Sequence, residues 1–482
     1  MLSALAAMAI AQAQRPNIVV FYCDDLGYRE IGAYGLKNAK TPHIDQLAKE
    51  SAKYTRFYSG APVCAPARAI LMTGKHSGHV AIRGNKEVGG WGFNDPEGQA
   101  PLPASEFTMA EAFQKGGYAT GAFGKWGLGG PMSEGHPLNQ GFDRFFGYLC
   151  QRQAHNHFPA YLWNDQFVYT LEGNPQRGIF GSRFESSRFP KPGEPIPARF
   201  FDQFKGRQYG PDVIEDKAVE WLKQKRDKPF FLYFSIALPH TALQAPEELV
   251  NQFPREWDKS PYIGGSGYLP NERPRATYAA MLKKIDDSMG RIRQTLKEIG
   301  ADRSTIIVFT SDNGTTFLKQ VDAEFFGSTA GLRGKKMDLY DGGIRVPLLI
   351  HRPGIWEGGS ESDRFWYGPD LMPTLLDFAG LPIPRGLDGV SFDRRDNREG
   401  LYFEYPENNH SQAVIMDRRW KAIRPNLKQS LDIEVYDIRS DEGEKVNLAA
   451  ERPDLDEKAK RIFAREHRPN PDFKLNRIDK QP

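Results

Sequence analysis

The sequence predicts an α/β fold, with a large, mostly parallel central sheet sandwiched by helices and a smaller C-terminal α+β subdomain. Two observations carry this prediction. Short apolar, β-branched runs recur up to about residue 350, separated by helical segments, as in a sheet whose strands are buried on both faces. Beyond about residue 385, the three short runs 401–405, 413–416 and 434–438 precede a final helix, which is typical of a small antiparallel sheet.

Length and charge bound the class of protein. The chain has 482 residues, a formal net charge of +3, and 26% charged and 12% aromatic residues. This length has room for one large domain and a smaller one, and we place the main domain at 15–385 and the C-terminal subdomain at 386–482. Because neither charge sign dominates and no long Lys/Arg block occurs, nucleic acid is not expected as a partner.

The first 13 residues are apolar and small, and they end in Ala11-Gln12-Ala13, which is typical of a signal-peptidase site. The segment is too short to span a bilayer, and no later segment is a candidate membrane span. We interpret 1–13 as the remnant of a signal peptide and predict export to a periplasm or to the outside. Three cysteines in the whole chain are too few for a disulfide framework.

Polar residues follow two predicted buried strands. Asp24 and Asp25 come directly after the run 17–23, and Asp312 and Asn313 follow the run 305–310. Ligands of open α/β sheets bind at the carboxyl ends of the strands, and adjacent buried carboxylates require a cation or hydrogen-bond donors. These oxygen atoms suit Ca²⁺ or Mg²⁺ rather than zinc. For the Asp pair taken alone, a solvated turn is the alternative.

Basic residues end two further predicted strands at the same edge. The run 118–123 leads to Lys125, and the run 229–237 leads to His240. A His side chain can donate a proton near neutral pH, although a packing role is the alternative. Lys335 and Lys336 follow in a later loop that contains two glycines.

The stretch Cys64-Ala-Pro-Ala-Arg68 is expected to lie at the centre of the functional site. Its proline suits the first turn of a helix, where the missing N–H costs nothing. Arg68 follows on the next turn, so its guanidinium can lie beside the Cys64 side chain. Helix N–H groups and a cation together favour an anion. The sequence therefore predicts an anion pocket with a potential nucleophile, and a structural cysteine is the alternative.

Residues 141–207 are rich in Phe, Tyr, Arg, His, Pro and Gly and show little periodicity. Long irregular insertions of this type tend to carry functional loops. We therefore assign 141–207 to substrate recognition, with His155 and His157 as candidate substrate residues. A disordered or purely structural insertion is the alternative.

The Cys64 motif resembles the C-x-P-x-R signature of type I sulfatases, the arylsulfatase A-like members of the alkaline phosphatase superfamily. The resemblance continues in the family's order through D-D-L-G-Y, T-P-H-I-D-Q-L-A, G-K-W-G-L-G, L-P-H, S-D-N-G and G-G-I-R-V-P. It implies a sulfuric ester hydrolase in which a formylglycine-generating enzyme oxidises Cys64 to formylglycine (3-oxoalanine). The implied ligands of Ca²⁺ are Asp24, Asp25, Asp312, Asn313 and an oxygen of residue 64, and the implied sulfate contacts are Arg68, Lys125, His240 and Lys336.

Two positions depart from the family pattern. Gly127 stands where the common K-x-H motif has its His, and Ala67 replaces a frequent Ser. The missing His usually contacts the formylglycine hydroxyl. We therefore expect His155 or His157 to supply that contact.

These residue types suit the hydrolysis of a sulfate monoester. The resemblance implies that one hydroxyl of the hydrated formylglycine, a gem-diol, would attack sulfur and release the alcohol, and that loss of the proton from the other hydroxyl would expel sulfate and restore the aldehyde. Ca²⁺ would lower the pKa of the hydroxyl, while Arg68, Lys125 and Lys336 would stabilise the developing charge. His240, together with Lys336, is expected to protonate the leaving alcohol.

The predicted export, the aromatic insertion and the balanced charge favour a sulfated carbohydrate as the substrate. Two alternatives remain open. One is a phosphodiesterase or phosphonate monoester hydrolase of the same superfamily. The other is a non-catalytic sulfoglycan-binding homologue whose Cys64 is never converted.

Overall fold

The computed structural model describes residues 15–89, 98–175, 189–191, 193–264, 268–356 and 358–479. The predicted signal-peptide remnant 1–13 lies outside these ranges, and the predicted recognition segment 141–207 is described only in part. Within the described ranges, every helix is too short or too polar to cross a membrane.

In the described part of the chain, eleven strands form the central sheet. They are β1 (Asn17–Asp24), β2 (Ala52–Tyr58), β3 (Ala119–Lys125), β4 (Arg144–Tyr148), β5 (Tyr161–Asn164), β6 (Phe167–Thr170), β7 (Phe230–Pro239), β8 (Thr305–Ser311), β9 (Arg345–His351), β10 (Ser360–Ser362) and β11 (Trp366–Tyr367). Their order is β10-β2-β9-β8-β1-β7-β3-β4-β5-β6, and β11 also pairs with β2.

The centre of the sheet is parallel and its flanks are mixed. Strand β1 pairs in parallel with β7 and β8, and β3 pairs in parallel with β7 and β4. Strand β9 is antiparallel to both β8 and β2, and β5 is antiparallel to β4 and β6. The mostly parallel sheet that the apolar runs predict is therefore confirmed.

Ten α-helices accompany the two sheets within the described residues. They are α1 (Pro42–Lys49), α2 (Cys64–Thr73), α3 (Met109–Lys115), α4 (Gly210–Lys223), α5 (Glu247–Val250), α6 (Pro274–Glu298), α7 (Ala323–Phe326), α8 (Asp341–Ile344), α9 (Leu371–Phe378) and α10 (Pro453–Glu466). Helix α3 begins at Met109, because Thr108 and Glu111 form a capping box there.

Strand β1 shows why helices cover both faces of the sheet. Successive side chains of a strand point to opposite faces, and on β1 the residues from Ile18 to Asp24 are all buried. Ile18 and Val20 join one apolar cluster with residues of α2, α3 and α9, whereas Val19 and Phe21 join a second cluster with residues of α1, α4 and α6. The predicted sandwich of helices around the sheet is confirmed.

A separate four-stranded antiparallel sheet lies near the C-terminus, with strands β12 (Gly400–Tyr405), β13 (Ser411–Met416), β14 (Trp420–Arg424) and β15 (Glu434–Asp437) in that order. Helix α10 packs on it through Leu455, Ile462 and Phe463. The sequence predicts three of these strands and misses β14. The boundary at 385/386 stays a prediction.

A buried lysine links this small sheet to the large one. The Nζ of Lys421, on β14, lies 2.8 Å from Asp341 Oδ1 and 2.8 Å from Glu444 Oε1, and all three side chains are fully buried. Tyr58, on β2, donates a hydrogen bond of 3.1 Å to the other oxygen of Asp341. The two sheets therefore share one network of buried charges.

Candidate active site

Four neighbouring strands deliver polar side chains to one edge of the large sheet. Strands β8, β1, β7 and β3 are adjacent and parallel, so their carboxyl ends meet there. Asp24 ends β1, Lys125 ends β3, Asp312 follows β8 and His240 follows β7. Helix α2 begins at the same edge with Cys64. The strand-end residues that the sequence singles out thus lie together.

The site is built from three carboxylates and three cations. Each cation lies against one carboxylate: Lys125 Nζ is 2.6 Å from Asp24 Oδ2, Lys336 Nζ is 2.7 Å from Asp25 Oδ1, and Arg68 Nη2 is 2.8 Å from Asp312 Oδ2. All six residues are buried. Their formal charges cancel, so the addition of a divalent cation leaves the cluster positive and able to bind an anion.

Cys64 lies within this cluster and is fully buried. Its Sγ is 3.3 Å from Asp24 Oδ1 and 3.4 Å from Lys336 Nζ. Burial and the charge of Asp24 raise the pKa of the Cys64 thiol well above its ordinary range. Because the thiolate and not the thiol is the nucleophile, the unmodified cysteine is held in an unreactive form.

The oxygen atoms of the site suit a hard divalent cation. Asp24, Asp25, Cys64 and His240 offer ligand atoms that all lie within 4.8 Å of one another. Asn313 donates through Nδ2 to Asp25 at 2.8 Å, while its Oδ1 is buried without a hydrogen-bond partner. An unpaired buried acceptor is costly, and a cation would satisfy it. Carboxylate and amide oxygens are the ligands that Ca²⁺ and Mg²⁺ prefer, so these residues fit such an ion.

The pKa values of the carboxyl groups show how crowded the site is. Burial, followed by the charge of Asp24, raises the pKa of Asp312 to about 7. Burial also favours the neutral form of Asp24, but the charges of Lys125, Arg68 and Lys336 outweigh it and hold the pKa of Asp24 well below its usual value. A bound cation would favour the charged form of every carboxylate.

His240 and His155 stack beside the cluster. Their ring centroids are 4.4 Å apart with planes 8° from parallel, and His240 Nε2 is 3.6 Å from Asp25 Oδ2. Burial, with the Lys336 charge, holds the pKa of His240 well below its usual value, and burial does the same for the pKa of His155. The Nδ1 of His240 pairs with the Thr241 carbonyl, so its Nε2 is the atom that faces the site.

Comparisons with known proteins decide the family. The sulfatase family model matches residues 16–381, and the model "N-sulphoglucosamine sulphohydrolase, C-terminal" matches residues 331–465. The chain belongs to the sulfatase family. It is an arylsulfatase A-like, type I sulfatase and hence a sulfuric ester hydrolase.

Two curated relatives and one solved structure illustrate the similarity of this sulfatase. The N-acetylgalactosamine-6-sulfatase of Rattus norvegicus is 29% identical over 407 residues, which are 81% of this chain and 67% of the relative. Arylsulfatase A of Homo sapiens is 29% identical over 437 residues, 88% of this chain and 77% of the relative. The structure of Ps i-CgsB in complex with k-i-k-neocarrahexaose superposes with a TM-score of 0.75 at 25% identity, over 94% of this chain and 92% of that one.

The two candidate substrate histidines of this sulfatase contact different parts of His240. His155 stacks on His240, whereas His157 lies behind it, with Nε2 2.9 Å from the His240 carbonyl oxygen. Burial lowers the pKa of His157 to about 4. A substrate contact by either residue stays a prediction.

The side chain nearest to Gly127 is that of Gln151. Gly127 has φ of +80°, and a Cβ at this position would lie 2.8 Å from Gln151 Cγ. Gln151 is nearly buried, and its Nε2 lies 3.3 Å from Asn85 Oδ1. Sequence reasoning missed both Gln151 and Asn85. The one signal for Gln151 is that it follows β4, the neighbour of β3, at the same sheet edge.

Proposed function

We propose that this sulfatase hydrolyses sulfate monoesters of a sulfated carbohydrate, with the oxidised side chain of residue 64 as the nucleophile. One observation carries the proposal. Cys64 Sγ stands between Asp24 Oδ1 and Lys336 Nζ, at 3.3 and 3.4 Å, inside a buried cluster of carboxylates and cations. The name of the galactosamine relative and the oligosaccharide in the similar structure support a carbohydrate substrate.

The proposed cofactors are Ca²⁺ and formylglycine. The proposed calcium ligands are the oxygens of Asp24, Asp25, Asp312 and Asn313 with residue 64. Bound Ca²⁺ would supply a Lewis acid that lowers the pKa of a hydroxyl and neutralises sulfate charge. Formylglycine made from Cys64 by a formylglycine-generating enzyme would supply two hydroxyls when hydrated.

The chain's own residues hold and neutralise the substrate. Arg68, Lys125 and Lys336 place three cations around residue 64, where they stabilise the negative charge that grows on the sulfate oxygens. His240 Nε2 faces the same space. An anionic ester beside it favours the protonated imidazole, so His240, with Lys336, is placed to give a proton to the leaving alcohol.

The proposal extends to the organisation and location of the protein. Residues 15–385 would form the catalytic domain, 386–482 the C-terminal subdomain, and 141–207 the substrate-recognition segment, from which His155 reaches the stack with His240. Residues 1–13 would direct export to a periplasm or to the outside.

Two measurements test the function. Mass spectrometry of the peptide that contains residue 64 should show the loss of sulfur that accompanies oxidation of Cys64 to the aldehyde. The same preparation should release inorganic sulfate from sulfated mono- or oligosaccharides. Faster turnover of phosphodiesters or phosphonate monoesters than of sulfate esters would favour a phosphodiesterase or phosphonate monoester hydrolase. Glycan binding by a chain with unconverted Cys64 would favour a non-catalytic sulfoglycan-binding homologue.

Calcium should stabilise the folded protein. At a free concentration 100-fold above the dissociation constant, one ion raises the free energy of unfolding by about 2.7 kcal/mol. Replacing Asn313→Leu removes the buried, unpartnered Oδ1 and should greatly reduce this increment. Thermal unfolding with calcium and with a chelator measures this calcium-dependent gain in stability in the wild type and in the variant.

The matched control for this prediction is Asn17→Leu. Asn17 lies at the opposite end of β1, where its Oδ1 accepts a hydrogen bond of 3.0 Å from the Phe230 N–H. This change should lower stability but leave the calcium increment intact. An unchanged increment in Asn313→Leu would contradict the assigned ligand set.

A further inference from the structure

The first turn of the nucleophile helix α2 is capped from another loop. The Val63 side chain makes no capping hydrogen bond, although the first N–H groups of a helix lack partners within it. Asn85 supplies the missing acceptor, since its Oδ1 accepts a hydrogen bond of 3.0 Å from the Ala65 N–H. Ala65 directly follows residue 64, so this contact acts on the peptide that carries the proposed nucleophile.

Asn85 is itself held on two sides. Gln151 Nε2 donates to the same Oδ1 at 3.3 Å, and the Glu407 carboxylate accepts a hydrogen bond from the Asn85 backbone N–H. Gly84 allows this approach, because a Cβ there would lie 2.6 Å from Glu407 Cδ. Two parts of the chain that are distant in sequence from Asn85 therefore fix it against α2.

The Gln151 contact also selects the orientation of the Asn85 amide. An asparagine side chain has an acceptor end and a donor end of similar shape. Two donors, the Ala65 N–H and Gln151 Nε2, converge on the same atom, so only the carbonyl oxygen can occupy that place. Gln151 is fixed in turn, because it fills the space beside Gly127 and is only 4% exposed.

We propose that Asn85 is a positioning residue for the side chain of residue 64, and that Gln151 orients Asn85 for this role. The proposal rests on residue 64 being the nucleophile. Residue 64 must keep its place between Asp24 and Lys336, and a displacement of the reacting group by about 1 Å can lower a rate about 100-fold. Asn85 limits such displacement through the backbone, without touching the substrate.

The test compares three variants by kcat, KM and hydrogen exchange. Asn85→Ala should lower kcat about 100-fold and change KM by less than about threefold, because it disturbs the nucleophile rather than binding. Asn85→Asp keeps the acceptor and should recover kcat to within about tenfold of wild type. Gln151→Leu should lower kcat by about tenfold, since Asn85 remains but its amide is free to turn.

Amide exchange measures the cap without catalysis. The peptide over 63–67 should exchange at least about tenfold faster in Asn85→Ala than in wild type, and it should stay protected in Asn85→Asp. The exchange measurement is made on protein with unconverted Cys64, so it does not depend on the proposed chemistry. The converted fraction of Cys64 is measured for each variant, and kcat is expressed per converted molecule.

The control variant is Asn447→Ala. Asn447 Oδ1 also accepts two hydrogen bonds, both of 3.0 Å, from the backbone N–H groups of Val435 and Ala449 in the C-terminal region. Its replacement should leave kcat and the exchange of 63–67 unchanged. Wild-type kcat in Asn85→Ala, equal losses in Asn85→Ala and Asn85→Asp, or unchanged exchange would overturn the positioning role. A wild-type protein that releases no sulfate would instead overturn the proposed function.

Discussion

The Cys64→Ser variant is expected to lose multiple turnover and to retain sulfate on the protein. A serine hydroxyl at position 64 has the same environment of Asp24 and Lys336 as the cysteine and can attack sulfur once. The product is then a sulfate ester of serine, which has no second hydroxyl to expel the sulfate. Steady-state kcat should fall by at least about 10⁴-fold.

Single-turnover experiments measure this outcome. Rapid mixing of the Cys64→Ser variant with a sulfate ester of a chromogenic alcohol should release at most one equivalent of alcohol. The peptide with residue 64 should then gain the mass of one SO₃ group, provided that mass spectrometry first shows an unmodified serine. Cys64→Ala is the matched control and should give neither the burst nor the added mass. Sustained turnover by Cys64→Ser would contradict the need for an oxidised side chain.

The Lys421→Met variant is expected to lose about 3–5 kcal/mol in the free energy of unfolding. In the wild type, Lys421 Nζ lies 2.8 Å from an oxygen of Asp341 and 2.8 Å from an oxygen of Glu444. The methionine fills a similar volume but removes this shared cation from the two carboxylates. Arg345 Nη1 remains 3.6 Å from Asp341 Oδ2, but Glu444 loses its salt-bridge partner, so carboxylate charge is left under-compensated in a medium that solvates it poorly. Activity should fall with stability, since Asp341 follows the Lys336 loop by only five positions.

Urea unfolding followed by tryptophan fluorescence measures this loss. The matched control is Lys458→Met, because Lys458 pairs at 2.7 Å with Asp417, whose side chain is half exposed. An exposed pair contributes about 0–1 kcal/mol, so this change should be nearly neutral. Equal effects of the two substitutions would show that the Lys421 network does not connect the two sheets energetically.

The polar residues at the strand ends could be predicted because local patterns place them. Asp24, Lys125 and Asp312 each follow an apolar run, and such runs become neighbouring parallel strands with their carboxyl ends at one edge. Lys336 has no such pattern around it. It reaches Asp25 from a loop, and only the resemblance to a family singled it out.

The features that the sequence does not predict depend on distant partners. Strand β14 has only five residues and includes Lys421 and Arg424, so its apolar pattern is weak. Lys421 is nevertheless buried, because Asp341, 80 positions away, accepts its hydrogen bond. Asn85 and Gln151 are 66 positions apart and form a pair only after β4 takes its place beside β3. The same reasoning treated His155 and His157 as equivalent, whereas tertiary packing separates their surroundings.

The complete burial of Cys64 constrains the timing of its proposed oxidation. In the folded chain no surface of this residue is open to a second protein, and the strands that enclose it include β8, which ends at Ser311. Under the proposal, an enzyme that oxidises Cys64 would therefore have to reach it in the nascent or still unfolded polypeptide, before the downstream half closes over the site. Folding that is faster than oxidation would leave Cys64 unconverted and the protein inactive. The fraction of active enzyme would then depend on the relative rates of folding and oxidation during synthesis.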